Sequence, residues 1–274
     1  MKFARYWANA ATKATLPDGD EVYLNTWGCS DEGQAMAMAE AAGRLQRMKE
    51  RVAQKGFEGL QERYGYFDRA LREPVLEELP GAAITRNSYG CEVLNTARVM
   101  FVDIDLPEVR QPGALGRLFG AKAAPDPAEG ALAAVEAWLA RNPDWGFRAY
   151  RTRAGLRLLA THAPVEPMAS LDIMAQLGAD PLYVKLCKAQ QSFRARLTPK
   201  PWRCEMRAPD VRWPFENEKL AQRFEAWREE YAQKSRGYAT CSLIRTLGSG
   251  QVHPEAAEVI RVHDKRAVGT LPLA

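Results

Sequence analysis

The sequence predicts an α+β protein built around an antiparallel sheet. Short apolar strands follow one another without helices between residues 83 and 105, and a second strand pair spans residues 147–161. Helical patterns lie on either side of these strands. The 274 residues can bury a large core. We divide them into an N-terminal hairpin with helices (1–80), a sheet-containing core (81–213) and a C-terminal helix and tail (214–274).

The N-terminal region is predicted to form a hairpin and a long helix. Strands at 4–11 and 21–27 flank Leu16-Pro17-Asp18-Gly19-Asp20, whose proline, aspartates and glycine favour chain reversal. Ser30 is the predicted cap of a helix that carries apolar residues at helical spacing. Helical patterns continue to about residue 79, which predicts a helical connection into the core.

The core region mixes strands and helices. Strands at 83–86, 92–94 and 98–105 are spaced closely enough for an antiparallel meander with the third strand inside it. Asp126-Pro127-Ala128-Glu129 predicts a helix start, because it offers a cap, a proline at the first helical position and a glutamate three residues after the cap. The remaining predicted elements are strands at 147–152, 155–161 and 239–244, and helices at 167–177, at 214–234 and after His253-Pro254.

Composition and charge limit the class of protein. No apolar run approaches the roughly 20 residues of a membrane helix, and the N-terminal residues lack a signal-peptide centre, so we expect a cytoplasmic protein without a membrane partner. The five cysteines form no C-x₂-C pair, which favours reduced thiols and argues against a zinc ribbon. The net charge is +4, but residues 146–213 hold twelve basic and five acidic residues. Such a surface attracts phosphate, although a solvated basic face is the plainer interpretation.

The most informative motif is Asp103-Ile104-Asp105 at the end of an apolar run. Side chains alternate faces along a strand, so the two carboxylates point the same way and repel each other. A divalent metal between them is the usual compensation, and Mg²⁺ and Mn²⁺ prefer such oxygen ligands. The motif does not choose a reaction, since it also occurs in haloacid-dehalogenase-type phosphatases and glycosyltransferases. Two solvated carboxylates at a strand end are a further alternative.

Three segments, taken in order, carry a family resemblance. They are Val99–Asp105, Arg151–Leu159, and Asp180–Tyr183 followed by Ser192–Lys200. This ordered set resembles the catalytic core of the archaeo-eukaryotic primase superfamily, which includes the primase-polymerases. The resemblance implies an RRM-like antiparallel sheet core of primase-polymerase type with helical N- and C-terminal additions.

The resemblance also implies a set of site residues. Asp103, Asp105 and Asp180 would be the catalytic metal ligands for Mg²⁺ or Mn²⁺, with Asp210 as a competing third acid. Arg157 stands where the family has a phosphate-binding histidine, and the fork of an arginine binds phosphate bidentately. The other candidate nucleotide- or phosphate-binding residues are Arg151, Arg153, Arg194, Arg196, Lys200 and Arg86.

The function implied by the resemblance is metal-dependent nucleotidyl transfer of primase-polymerase type, on a nucleoside triphosphate and on DNA or RNA. Trp202, Phe193 and Tyr183 are candidates for stacking a base, and Trp202 is the least core-like of them. The main alternative is a non-catalytic nucleic-acid-binding protein with a primase-like fold, which the arginine at position 157 favours. A phosphatase fits less well because Leu106-Pro107 follows the motif, and a glycosyltransferase would need a nucleotide-binding β-α-β start.

Overall fold

The computed structural model describes residues 3–56, 58, 71–108 and 126–274. The described residues contain ten strands, six α-helices and two short 3₁₀ turns. They form two compact units, of which the larger holds Val75–Val211 and Lys219–Ala274. The mixture of helices with antiparallel sheets confirms the predicted α+β class.

In the residues that the structure describes, the smaller unit contains a two-stranded hairpin and the helix that follows it. Its elements are β1 (Tyr6–Thr15), β2 (Glu21–Ser30) and α1 (Gln34–Lys55), and β1 pairs antiparallel with β2. The helix packs so closely on the hairpin that a Cβ at Gly28 would lie only 2.2 Å from the backbone nitrogen of Ala41. The predicted hairpin and long helix are confirmed, whereas the helical pattern predicted over residues 57 and 59–70 lies outside the described residues.

The larger unit is built from two four-stranded antiparallel sheets. Its strands are β3 (Val75–Leu79), β4 (Ala82–Arg86), β5 (Glu92–Thr96), β6 (Phe101–Asp105), β7 (Gly146–Thr152), β8 (Gly155–Ala160), β9 (Phe193–Arg196) and β10 (Cys241–Gly248). Its helices are α2 (Pro127–Leu139), α3 (Leu171–Gln176), α4 (Pro181–Gln190), α5 (Glu218–Ser235) and α6 (Pro254–Ala267). One sheet has the order β3-β4-β5-β9 and the other the order β10-β7-β8-β6.

The second sheet contains a split β-α-β arrangement. Strands β6 and β7 both pair with β8 and lie on either side of it, and α2 is in the connection between them. The predicted start of α2 is confirmed, since the Asp126 side chain accepts a hydrogen bond from the Ala128 nitrogen at 3.0 Å. Phe101, Leu132 and Phe147 are fully buried in the core around this sheet.

Two local predictions were wrong. Strand β6 is not inside a meander with β4 and β5, but is an edge strand of the second sheet. The short connection from β5 turns the chain, and the Thr96 hydroxyl donates to the Val99 carbonyl at 2.6 Å. Residues 75–79 form β3 and not a helix, because the turn at Pro80-Gly81, with Gly81 at φ 68°, folds this segment back on β4.

Smaller features complete the comparison with the sequence. The cap of α1 is Gly33, whereas the Ser30 hydroxyl accepts from the Glu32 nitrogen. The helix predicted after His253-Pro254 is confirmed, and His253 caps it through Nδ1. All five cysteines are free. Within the described ranges, every helix is too short or too polar to cross a membrane.

Candidate functional site

The two motif aspartates lie at the carboxyl end of β6. In the register with β8, Asp103 faces Arg157 and Asp105 faces Gly155. Gly155 permits this pairing, since a Cβ there would lie 1.9 Å from the Ile104 carbonyl oxygen. The absence of a side chain at Gly155 therefore allows the two strands to approach closely enough for Asp103 and Arg157 to meet.

Arg157 forms a bidentate ion pair with Asp103. Its Nε donates to Oδ1 at 2.8 Å and its Nη2 to Oδ2 at 3.1 Å, while Nη1 donates to the Arg196 carbonyl at 2.9 Å. The residue is 1% exposed. Burial opposes its charge, but the Asp103 carboxylate outweighs that effect and raises the pKa of the guanidinium. The arginine expected to grip a phosphate is thus bonded within the protein in this structure.

A buried histidine lies behind this ion pair. Nε2 of His263, on α6, is 3.4 Å from Arg157 Nη1, and Nδ1 is 3.0 Å from Asp264 Oδ1. His263 is fully buried, and this burial lowers its pKa. With the ring proton on Nδ1, His263 donates to Asp264 and accepts from Arg157 at Nε2.

Asp264 anchors the far end of the same network. It accepts from Arg148 Nη2 at 2.7 Å and from the Tyr150 hydroxyl at 2.8 Å. Burial opposes ionisation of Asp264, but the hydrogen bonds from His263 and Tyr150 and the charge of Arg148 lower its pKa. Charged groups of opposite sign therefore alternate from Arg148 to Asp103, with a neutral imidazole in the middle.

The third predicted acid lies beside the first two. The Asp180 nitrogen donates to the Asp103 carbonyl at 2.9 Å, and its side chain caps α4 by accepting from the Leu182 nitrogen at 3.0 Å. Asp105 is exposed, but partial desolvation raises the pKa of its carboxyl group, and the negative charges of Asp180 and Asp103 raise it further. Asp210 lies elsewhere, in an exposed ion pair with Arg223.

These aspartates do not form a closed metal cage. In the part of the chain that the structure describes, no group of three or more His, Cys, Asp or Glu side chains is arranged to hold a metal ion. The three acids are instead neighbours at a strand end and a helix start. Partial desolvation and the charges of the other two aspartates raise the pKa of Asp105, and the charges of Lys200 and Arg203 partly offset this rise.

Four basic side chains form what we term the cation cluster: Arg153, Arg196, Lys200 and Arg203. Burial lowers the pKa of Lys200, and the charges of Arg196 and Arg203 lower it further. Burial, Arg196 and Arg153 lower the pKa of Arg203 in the same way, while Asp105 opposes both shifts. Among the described residues, no carboxylate lies within 4.0 Å of any of the four. Arg196 Nη1 is buried and has no hydrogen-bond partner among the described residues.

The other predicted phosphate binders are engaged elsewhere. Arg151 forms an ion pair with Asp126 at 3.4 Å, and Arg194 donates to the Gln190 side chain at 2.9 Å. Arg86 is buried, and its guanidinium donates to the Gly90 carbonyl at 2.8 Å and to Glu92 at 3.1 Å. Arg203, which the predicted set does not include, replaces them in the cation cluster. The Lys200-Pro201-Trp202-Arg203 segment was the available signal for it.

The candidate stacking residues differ in exposure. Trp202 is 50% exposed, whereas Phe193 and Tyr183 are buried. The Tyr183 hydroxyl donates within the core, 3.2 Å from the Phe101 carbonyl and 3.0 Å from that of Arg194. Only Trp202 among these three therefore presents an aromatic surface to solvent.

Comparison with known proteins provides no relative for this chain. No protein-family model, curated protein or solved structure matches it. The functional argument consequently depends on three groups of residues: the aspartates at the end of β6, the buried network behind Arg157, and the cation cluster.

Proposed function

We propose that this protein is a metal-dependent nucleotidyltransferase of primase-polymerase type, which uses a nucleoside triphosphate and a nucleic acid. One arrangement supports the proposal: Asp105, which neighbours Asp103 and Asp180, also interacts electrostatically with Lys200 and Arg203, two cations that have no carboxylate within 4.0 Å among the described residues. A triphosphate supplies the negative charge that such cations require. The carboxylates are the ligand type of the divalent ions that accompany phosphates.

The aspartates suit Mg²⁺ or Mn²⁺ that arrives together with a nucleotide. Each Asp103 oxygen accepts one guanidinium N–H, and a carboxylate offers about four acceptor sites in all. Asp180 uses one oxygen for its cap, and Asp105 is exposed. Mg²⁺ is usually bound by one or two carboxylates plus substrate phosphates, so a preformed cage of three side chains is not required. When bound, the ion would stabilise charge on the reacting phosphate and lower the pKa of the attacking hydroxyl.

The remaining groups act as binding and orienting elements. Lys200 and Arg203, which interact electrostatically with Asp105, neutralise the triphosphate. Arg157 fixes the orientation of the Asp103 carboxylate from behind through two hydrogen bonds. Asp180 adds its charge where the β6 strand ends, so electrostatic attraction for a divalent ion is concentrated at that point.

The second candidate function is a non-catalytic nucleic-acid-binding protein. A specific observation favours it: Asp103 is already paired with a buried arginine, so this carboxylate is neutralised without any metal. In that case the cation cluster would contact nucleic-acid phosphates, and Asp105 would only weaken binding through its negative charge. The two functions therefore predict opposite roles for Asp105.

Primer-extension and dinucleotide-synthesis assays with Mg²⁺ and Mn²⁺ test the proposal. We expect product from the wild-type protein and its loss in Asp105→Asn, an exposed position where the amide keeps the size of the side chain. Asp172→Asn is the matched control, because Asp172 is an exposed aspartate in the first turn of α3. Absence of product from folded wild-type protein, together with equal or tighter oligonucleotide binding by Asp105→Asn, would establish the binding function instead.

A further inference from the structure

Two exposed aromatic rings lie next to the cation cluster. Trp202 is 50% and Tyr89 41% exposed, and their ring centroids are 5.2 Å apart in an edge-to-face arrangement. We call this pair the aromatic platform. Lys200 Nζ lies 5.4 Å from the Trp202 ring centroid, so one member of the cation cluster borders the platform directly.

The rings differ from ordinary surface aromatics because of what surrounds them. Trp202 lies between Lys200 and Arg203, whose pKa values are lowered by burial and by neighbouring positive charges. Arg196, which adds to this positive potential, has a buried Nη1 without a hydrogen-bond partner in the described chain. The surface thus combines two partly exposed aromatic rings with cations that have no carboxylate within 4.0 Å among the described residues.

This combination is that of a site for single-stranded nucleic acid. Cations follow the phosphate backbone, and aromatic rings stack on bases. The bases of a duplex are stacked on each other, so a side chain reaches a base face only where the strand is unpaired. A purely apolar partner would leave the cations uncompensated, whereas a nucleic-acid strand satisfies both features.

We propose that the aromatic platform and the cation cluster bind a single-stranded nucleic acid, with an unpaired base on Trp202 and the adjacent phosphates on Lys200 and Arg203. The inference deepens the proposed function, because it specifies the strand form of the nucleic acid that the protein takes. Tyr89 lies roughly perpendicular to the Trp202 ring and adds a second aromatic ring to this surface.

Fluorescence anisotropy with a labelled oligothymidine, measured without divalent metal, tests the platform apart from any chemistry. We expect Trp202→Ala to weaken binding about tenfold, as is typical for the loss of one stacked base, and Trp202→Phe to retain most of the affinity. Tyr23→Ala is the control, because Tyr23 is a 70% exposed aromatic on β2 of the smaller unit. It should bind as the wild type does.

Three competitors identify the ligand: oligouridine, a blunt DNA duplex and thymidine monophosphate. The proposal requires that unlabelled single strands of DNA or RNA displace the probe at concentrations far below those of duplex or mononucleotide. Wild-type affinity in folded Trp202→Ala, or equal displacement by duplex, would overturn it, as would preferential displacement by an acidic peptide.

The result is separable from that of the enzyme assay. A wild-type protein that passes the binding test but makes no product refutes nucleotidyl transfer and leaves the platform intact. Conversely, a protein that extends primers while Trp202→Ala binds the oligonucleotide normally refutes the platform alone.

Discussion

The larger unit contains arginines in two opposite environments. Arg157 is almost fully buried, and its donors are taken by Asp103, by a main-chain carbonyl and by contact with His263. In the cation cluster, by contrast, Arg153 is exposed and Arg196 has a buried guanidinium nitrogen without a partner among the described residues. The same residue type therefore holds the fold together in one place and remains available to an external anion in the other. Burial and pairing, more than positive charge, distinguish structural arginines from ligand-binding ones.

Replacement of Arg157 should have the largest effect on stability. Arg157→Ala leaves the Asp103 carboxylate without its partner and opens a cavity beside His263, so we expect a loss of about 3–5 kcal/mol in the free energy of unfolding. Arg153→Ala removes an exposed side chain and should change stability by less than about 0.5 kcal/mol. Urea unfolding followed by circular dichroism measures both values. Similar stabilities of the two variants would contradict the structural role of Arg157.

The sequence predicted much of the local structure, but not these two environments. The hairpin, the start of α2 and the aspartates at the end of β6 depend on neighbouring residues and were correctly predicted. The partner of Arg157 depends on strand register, and His263 is 106 positions away in the sequence. Arg86 shows the same limit: its burial results from contacts with Gly90 and Glu92 that its residue type does not reveal.

The strand order of the core was beyond local prediction for a related reason. Close spacing along the chain was compatible with pairing of β5 and β6, yet β5 pairs with β9 and β6 with β8. Strand pairing between distant segments is decided by the burial of whole faces, which a short window of sequence does not contain. The Asp180 amide nevertheless donates to the Asp103 carbonyl, so the two residues are neighbours, while their joint role in a site stays a prediction.

Acidification should have an intermediate effect on the buried network. Burial lowers the pKa of His263, so the unfolded chain binds a proton more readily between the ordinary histidine pKa of about 6.5 and the lower value in the folded state. Stability should therefore fall as the pH drops below about 6.5, with a slope of at most about 1.4 kcal/mol per pH unit from this group.

His263→Gln should reduce this pH dependence. Asp264, Arg157, Tyr150 and Cys241 face the imidazole, and the glutamine keeps a hydrogen-bonding side chain among them. Unfolding midpoints in urea at pH 7.5 and 5.5 measure the change. His162→Gln is the reference variant, because burial also lowers the pKa of His162 and it contributes a share of the same sign. An unchanged pH dependence in His263→Gln would exclude His263 as a source.

The cation cluster should give the smallest and most specific effect. Lys200→Gln removes one phosphate contact, so the slope of log affinity against log salt for single-stranded DNA should decrease by about 0.7. Lys265→Gln, an exposed lysine on α6, should leave the slope unchanged. Titrations at several salt concentrations measure the slopes. Equal slopes in wild type and Lys200→Gln would remove Lys200 from the phosphate-binding surface.

The position of β6 at the edge of its sheet has a consequence for how molecules meet this protein. An edge strand normally offers a row of unsatisfied main-chain groups to which another polypeptide can add. Here the Asp180 amide donates to the Asp103 carbonyl, and the Tyr183 hydroxyl lies within hydrogen-bond distance of the Phe101 carbonyl. Two main-chain acceptors on the open edge of β6 are therefore already hydrogen-bonded, which disfavours pairing with a strand from another protein. The carboxylate of Asp105 at the end of β6 remains exposed.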